Sequence, residues 1–257
     1  MPELPEVEIY ARYFARHALE QSILRIRVLD SRILGVRSLK PLVGRAFHRV
    51  HRHGKHLFAD ACGLWLRLHF GMTGDLDYWV GQKPDLHFAR VVFDFENDAH
   101  LAYEDARLFG VVDIVSSPDD FVREYGLGPD PLDPTFTLRA FRKILLRRRG
   151  RIKALLLSQD IIAGIGNLYA DEALFRASID PRRTIDRMTG DEVRALYKAI
   201  RGVLTEAIAF KSRDGDYPAR FLVPHREEGQ RCPRCGGTIR RTVVATRTTY
   251  YCAKHQR

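Results

Sequence analysis

The chain opens with Met1-Pro2-Glu3-Leu4-Pro5-Glu6-Val7-Glu8, a stretch that predicts both the first element of the fold and a reactive group. Pro5 stands where the first turn of a helix tolerates proline, and apolar residues then recur at helical spacing, so we expect a short helix from Glu3 to Leu19. Removal of Met1 would expose the secondary amine of Pro2. An α-amino group titrates near pH 7.7 to 8, so roughly a tenth to a fifth of it is neutral and nucleophilic at pH 7.

Two alternatives stay open for this terminus. The prolines could simply stiffen a solvated end of the chain. A retained Met1 would also acylate the Pro2 nitrogen and abolish the nucleophile.

Residues 22 to 115 predict a β-rich region. Short β-like runs separated by turn signals are typical of an antiparallel sandwich or barrel. The runs include Ile23–Leu29, His56–Ala59, Leu64–His69, Arg90–Phe95 and Val111–Val115. Cys62 lies within an apolar, strand-like run, and we expect it to be part of the core.

The glycines and prolines between Gly126 and Pro134 exclude a helix or a central strand, which indicates a linker. Beyond it the apolar spacing is helical, with Thr184 to Gly190 as a connecting loop. We therefore predict an α+β, two-domain chain: a helix and antiparallel β-sandwich over 1–125, a linker over 126–134, a helical domain over 135–229 and a terminal module over 230–257.

The charge is strongly basic, with a formal net charge of +10. Residues 135 to 153 carry eight Lys or Arg, Arg147 among them, and no acid, which favours nucleic acid as a partner. A solvated helix face and an anionic membrane surface are the alternatives. Because neither a membrane span nor a signal peptide is evident, we expect an intracellular protein, cytoplasmic and associated with the nucleoid.

The C-terminal module has the spacing of a metal site. Its candidate ligands follow the pattern C-x2-C-x16-C-x2-H: Cys232, Cys235, Cys252 and His255. Two such knuckles suit one tetrahedral Zn²⁺, although the fourth ligand is more often cysteine. The β-branched stretch between them predicts a hairpin that presents arginines, with Arg247 near its turn.

Three further segments are candidate nucleic-acid contacts. A glycine-bearing turn, Ala163 to Gly166, precedes a helix beginning near Asn167, so backbone N–H groups there could bind phosphate or could simply cap the helix. Loops around Met72 and around Arg107 and Phe109 expose residue types suited to wedging DNA, although such residues are most often ordinary core or surface.

Taken together, these motifs resemble the formamidopyrimidine-DNA glycosylase and endonuclease VIII family over nearly the whole chain. Leu4 in the opening motif is similar to the formamidopyrimidine branch, where the other branch usually has glycine. The resemblance implies a helix–two-turn–helix domain ending in a zinc finger, with DNA bound in the cleft between the two domains. It also implies a bifunctional glycosylase and abasic-site lyase that removes oxidised purines and nicks the strand by β,δ-elimination.

The resemblance also implies residue roles. Pro2 is similar to the family's nucleophile, Glu3 to its catalytic acid and Lys55 to its phosphate-contacting lysine. Further DNA contacts are implied for Lys153, Asn167 and Arg247, and a void-filling role at the flipped-out nucleotide for Met72, Arg107 and Phe109. The expected partner is damaged double-stranded DNA, bound by a monomer with no membrane contact.

This chain departs from the family pattern at two places. Asp105-Ala106-Arg107-Leu108-Phe109-Gly110 has Leu108 where the family usually has a second arginine, and residues 211–230 match the base-covering segment only loosely. Two other functions therefore stay open: endonuclease VIII-like removal of oxidised pyrimidines, and binding of abasic or damaged DNA without cutting.

Overall fold

The computed structural model describes residues 1–36, 38–82, 85–146, 148–212 and 215–257. It divides into two compact units, Met1–Gly126 and Leu127–Arg257. Arg147 of the basic run and Asp214 of the 211–230 segment lie outside the described residues.

The described part of the first unit begins and ends with a helix and has eight strands between. These elements are α1 Leu4–Ala18, β1 Ile23–Val28, β2 Arg49–His53, β3 His56–Ala61, β4 Leu64–His69, β5 Gly74–Val80, β6 Ala89–Phe95, β7 Ala99–Asp105, β8 Val111–Val115 and α2 Pro118–Glu124. The strands form two antiparallel sheets, in the orders β1-β6-β7-β5 and β2-β3-β4-β8.

The two sheets and α1 share one hydrophobic core. Phe14 of α1, Leu66 of β4 and Phe93 of β6 are all fully or almost fully buried in it. The Phe14 ring packs edge-on against Phe47 at 5.1 Å between centroids. The predicted N-terminal helix and antiparallel β-sandwich are therefore confirmed.

The prediction that Cys62 belongs to the core is wrong. Ala61 pairs with Leu64, so Cys62 and Gly63 form the two-residue turn between β3 and β4. Both have positive φ, +56° and +86°, and the Cys62 side chain is exposed. The apolar run around this cysteine consists of two strands of a hairpin, and the turn between them faces solvent.

The described part of the second unit is helical and ends in a β-hairpin. Its elements are α3 Leu138–Leu145, α4 Ile152–Leu157, α5 Asn167–Ala177, α6 Gly190–Lys211, β9 Ile239–Val244 and β10 Arg247–Cys252. The proline- and glycine-containing segment packs within this unit, since Gly128 N donates to Gln159 O at 2.8 Å and Ala163 N to Pro129 O at 3.1 Å. The finer division into linker, helical domain and finger stays a prediction.

Helix α5 is the centre of this unit. Its residues from Tyr169 to Phe175 are all buried, and it packs against both α6 and β10. Helix α6 begins with a capping box in which Thr189 and Glu192 exchange hydrogen bonds. Within the described ranges, the chain has no helix with the length and apolar character needed to span a membrane.

Candidate active site and nucleic-acid interface

The N-terminal residues are placed by the first turn of α1. Glu3 is the N-cap residue and shares a capping box with Glu6, whose Oε2 accepts from Glu3 N at 2.9 Å. The Glu3 side chain is buried, at 4% exposure, whereas Pro2 is partly exposed. The helix N-terminus favours negative charge, so this position holds a carboxylate next to the Pro2 nitrogen.

Helix α1 is tied to the turn that carries Lys55. Arg52 Nε donates to Glu8 Oε2 at 2.9 Å, and Arg52 Nη1 donates to Gly54 O at 3.2 Å. Gly54 and Lys55 form the two-residue turn between β2 and β3, with Gly54 at φ +57°. Arg52 therefore connects the first half of α1 to the backbone of the Lys55 turn, and the Lys55 side chain is largely buried there.

His69 is a candidate anion-binding residue that the sequence pattern did not indicate. It pairs with His56 across β3 and β4, and the His69 Nδ1 accepts from Gly71 N at 3.3 Å. Burial, with the charges of Arg67 and Lys55, lowers the pKa of His69 to about 4, so the ring is neutral at pH 7. A neutral ring that accepts through Nδ1 carries its proton on Nε2 and can donate to an anion. Its place immediately before Phe70-Gly71-Met72 was the available signal.

The two predicted wedge loops lie against each other. Asp105, which is fully buried, accepts hydrogen bonds from the backbone of both Arg107 (3.1 Å) and Gly110 (2.8 Å), and from Thr73 Oγ1 (2.5 Å). Thr73 Oγ1 also accepts from Arg107 N at 3.1 Å. One carboxylate therefore fixes the loop of residues 106–110 onto the loop that follows β4.

These loops expose the three candidate residues. Met72 is 43% exposed and Phe109 55% exposed, and the Arg107 guanidinium lies over the Phe109 ring at 5.0 Å. Leu108, at φ +56°, is partly buried and packs against the core. At this position the resemblance implies an arginine. The structure thus brings Met72, Arg107 and Phe109 to one surface.

The second unit brings the other three candidates together at the hairpin. Arg247 is exposed and begins β10, directly after the Ala245-Thr246 turn, where both residues have positive φ. Asn167, the first residue of α5, donates through Nδ2 to Thr248 O at 2.9 Å. The predicted place of Arg247 beside the hairpin turn agrees with this register.

Lys153 is placed differently from the surface contact that the resemblance implies. Its side chain is 0% exposed, and its Nζ lies 2.6 Å from Asp171 Oδ1 and 2.6 Å from Thr249 Oγ1. A DNA contact by Lys153 stays a prediction. The observed contacts connect α4 to α5 and to the hairpin.

The four predicted metal ligands converge. One donor atom each from Cys232, Cys235, Cys252 and His255 lies within 4.8 Å of the other three. Cys232 Sγ lies 3.6 Å from His255 Nδ1, and Cys235 Sγ lies 3.5 Å from Cys252 Sγ. Three sulfurs and one imidazole nitrogen at this spacing fit a tetrahedral Zn²⁺, so the module holds one structural zinc.

Three known domain families match consecutive parts of the chain. They are the formamidopyrimidine-DNA glycosylase N-terminal domain at residues 1–112, the formamidopyrimidine-DNA glycosylase H2TH domain at 127–215, and a zinc finger found in FPG and IleRS at 229–254. Curated relatives named formamidopyrimidine-DNA glycosylase include one from Pelotomaculum thermopropionicum, 37% identical over 100% of this chain and 99% of its own length. Another, from Roseiflexus, is 35% identical over the full length of both chains.

Solved structures are similar to this chain over nearly its whole length. A Lactococcus lactis Fpg (MutM) complex with DNA that contains FAPY-dG has a TM-score of 0.89 and 27% identity, covering 99% of this chain and 100% of that one. The L. lactis protein was also solved with DNA that contains an oxidised pyrimidine, at a TM-score of 0.91 and 27% identity over the full length of both chains. Because these domain families match most of the chain and curated relatives match it over its full length, this chain belongs to the formamidopyrimidine-DNA glycosylase family.

Proposed function

We propose that this protein is a bifunctional DNA glycosylase of base-excision repair that removes oxidised purines and then cleaves the strand at the abasic site. The observation that carries the proposal is the convergence at one end of the first unit. Arg52 connects α1, which begins beside Pro2 and Glu3, to the Lys55 turn. The end of β4 pairs with the start of β3 next to this turn, and the chain continues from there directly into the Met72 loop.

The chemistry follows from these groups. The neutral Pro2 nitrogen attacks C1′ of the damaged nucleotide, the bond to the base breaks, and the base leaves with the bonding electrons and takes up the proton that the attacking nitrogen loses. Glu3, in its protonated form, donates its proton to the sugar ring oxygen, so the ring opens and a Schiff base forms. The iminium acidifies C2′, and loss of that proton expels the 3′ phosphate before a second elimination expels the 5′ phosphate.

The remaining residues are assigned to DNA. Met72, Arg107 and Phe109 fill the space that the flipped nucleotide leaves, while Lys55 and Arg247 neutralise phosphates. Asn167 contributes at the start of α5. The partner is damaged duplex DNA bound by one copy of the chain, in the nucleoid of the cytoplasm. Residues 1–125 form the catalytic domain, 135–229 the helix–two-turn–helix domain and 230–257 the zinc finger.

A second substrate class has support of its own. The related L. lactis protein was solved with DNA that contains an oxidised pyrimidine, so this fold admits such a base. Leu108, where the family usually has arginine, also lies between the wedge residues Arg107 and Phe109 of the same loop. We therefore keep oxidised pyrimidines as the alternative substrate of the same Pro2 chemistry.

Borohydride trapping tests the proposal. Borohydride reduces the Schiff base to a stable amine, so an active protein becomes covalently joined to DNA. The protein is made with a cleavable N-terminal extension whose removal leaves Pro2 as the first residue, and the uncleaved protein is the matched control because its Pro2 nitrogen is acylated. Duplexes carry 8-oxoguanine, an oxidised pyrimidine or an abasic site.

We expect trapping on 8-oxoguanine only after cleavage, with the cross-link mapped to Pro2 and its yield lowered in Glu3→Gln. Trapping mainly on the oxidised pyrimidine would move the substrate to the alternative class. Absence of trapping on every duplex, with binding retained, would leave a protein that recognises damage without cutting.

A further inference from the structure

The buried Lys153 and Asp171 form a cluster of charges with the partly exposed Arg226 in the second unit. Lys153 Nζ lies 2.6 Å from Asp171 Oδ1, and Arg226 Nη2 lies 3.0 Å from Asp171 Oδ2. The side chains of Lys153 and Asp171 are 0% and 1% exposed. A charge removed so completely from water must be matched by its partners, so changing one member disturbs the others.

The cluster and α5 hold three consecutive residues of the zinc hairpin. The hydrogen bonds are Asn167 Nδ2 to Thr248 O at 2.9 Å, Lys153 Nζ to Thr249 Oγ1 at 2.6 Å, and Tyr250 N to Asp171 Oδ2 at 3.2 Å. Each bond joins α4 or α5 to β10. The register of β10 on these helices is thus fixed by side chains and not only by apolar packing.

A relay continues from this cluster to Arg247. Thr249 Oγ1 accepts from Lys153 and donates its one proton to Arg247 O at 3.0 Å. Thr249 is fully buried, whereas the Arg247 side chain is exposed. The buried ammonium therefore orients a hydroxyl that holds the backbone of the exposed arginine.

We infer that Lys153 and Asp171 are positioning residues that fix Arg247 of the zinc hairpin for phosphate binding, and that Lys153 acts through Thr249 and not by touching DNA. The inference rests on the proposed function, since it needs a DNA-binding protein. It goes beyond that function because it makes a buried carboxylate a requirement for binding a polyanion.

The direction in which one substitution changes DNA affinity separates a positioning role from a simple electrostatic effect. Asp171→Asn removes a negative charge from a DNA-binding unit, so a field effect alone would strengthen binding. Positioning predicts the opposite, a dissociation constant raised about tenfold, since the hydrogen bonds that it weakens fix the hairpin. Binding is measured by fluorescence anisotropy on a duplex with an abasic-site analogue, and zinc content is measured on the same samples.

Two further variants complete the test. Asp191→Asn is the matched control, because that carboxylate belongs to the same unit and is 94% exposed, so binding should stay unchanged or tighten slightly. Thr249→Val breaks the relay with little change in volume. Its effect should be severalfold weaker binding with full zinc occupancy, and the effect should disappear in an Arg247→Ala background, since the two act through one contact.

Each outcome has a separate meaning. If the unaltered protein does not bind the duplex, the proposed function fails before any variant is compared. If it binds and Asp171→Asn binds as tightly or more tightly, or Thr249→Val adds its full effect to Arg247→Ala, the positioning inference is wrong. If Asp171→Asn loses zinc or does not fold, the Thr249→Val comparison decides.

Discussion

At the scale of single residues, the two wedge loops of the first unit depend on glycines at positions where no larger side chain fits. A Cβ on Gly110 would lie 1.7 Å from Tyr103 Oη and 2.7 Å from His69 O. A Cβ on Gly71, which has φ +52°, would lie 2.4 Å from the backbone carbon of Phe109. These glycines allow the close approach that brings Met72 beside Phe109, which supports a shared role for the two loops.

Asp105→Ala should loosen both loops together. The change removes the buried acceptor of the Gly110 N–H group and of the Thr73 hydroxyl, and one of the two acceptors of the Arg107 N–H group, so we expect the free energy of unfolding to fall by about 2 to 4 kcal/mol. Urea denaturation measures this loss, and binding to an abasic duplex should weaken as well. Glu96→Ala, at an exposed carboxylate in the β6–β7 turn, is the control and should change neither quantity. Unaltered stability in Asp105→Ala would contradict the role given to this carboxylate.

At the scale of elements, the zinc hairpin depends on its metal and on α5. His255 packs edge-on against Phe175 of α5, at 4.7 Å between ring centroids, while its imidazole completes the ligand set. His255→Ala should therefore lower zinc occupancy and DNA affinity together, because metal binding and folding of the hairpin are coupled. Metal analysis and anisotropy on the same preparation measure both. Unchanged zinc content would remove His255 from the site.

The contact between α5 and the segment after α6 predicts a pH dependence. Glu172 accepts from Leu222 N at 2.7 Å and Val223 N at 3.1 Å, yet burial raises its pKa from 4.5 to about 7. The folded protein thus keeps a proton that the unfolded chain releases, and stability falls as pH rises from 4.5 to 7. This contribution amounts to roughly 3 kcal/mol.

Glu172→Gln tests this dependence, because glutamine cannot ionise but keeps an oxygen for the two N–H groups. The stability of the variant relative to the unaltered protein should rise between pH 4.5 and 7 and level off above, as followed by urea denaturation at a series of pH values. Glu96→Gln, the same change at an exposed carboxylate in the β6–β7 turn, is the matched control. A difference that stays constant with pH would mean that Glu172 titrates normally.

Local sequence pattern predicted the elements whose pattern is strong. β4 and β8 have the predicted bounds because apolar residues make up most of each strand, and the helix that follows Pro2 ends one residue before the predicted end. β2, β5 and β7 are not among the named runs, and for β2 and β5 the reason is that Arg49-Val50-His51-Arg52-His53 and the aspartates of β5 look like solvated loop. Only their sheet neighbours give these residues their strand conformation.

The candidate site divides in the same way. The zinc ligands follow from the spacing within two short segments, and the structure brings them together. The roles of Pro2 and Glu3 stay predictions. The burial of Lys153 could not be predicted from the sequence, because its partners are 18 residues away at Asp171 and 96 residues away at Thr249. A basic run predicts charge, but tertiary contacts decide which of its members faces solvent.

At the scale of the whole molecule, the excess of positive charge predicts a steep response to salt. Each phosphate neutralised on duplex DNA contributes about −0.9 to the slope of log affinity against log salt. Lys55 and Arg247 belong to different units, so their contributions should be independent. Each alanine variant should make the slope shallower by about 0.9, and the double variant by about 1.8. Anisotropy titrations from low to moderate salt measure these slopes, with Arg12→Ala, whose exposed guanidinium pairs with Glu8, as the control that should keep the original slope. Equal slopes for the unaltered protein, the two single variants and the double variant would mean that neither Lys55 nor Arg247 contacts phosphate.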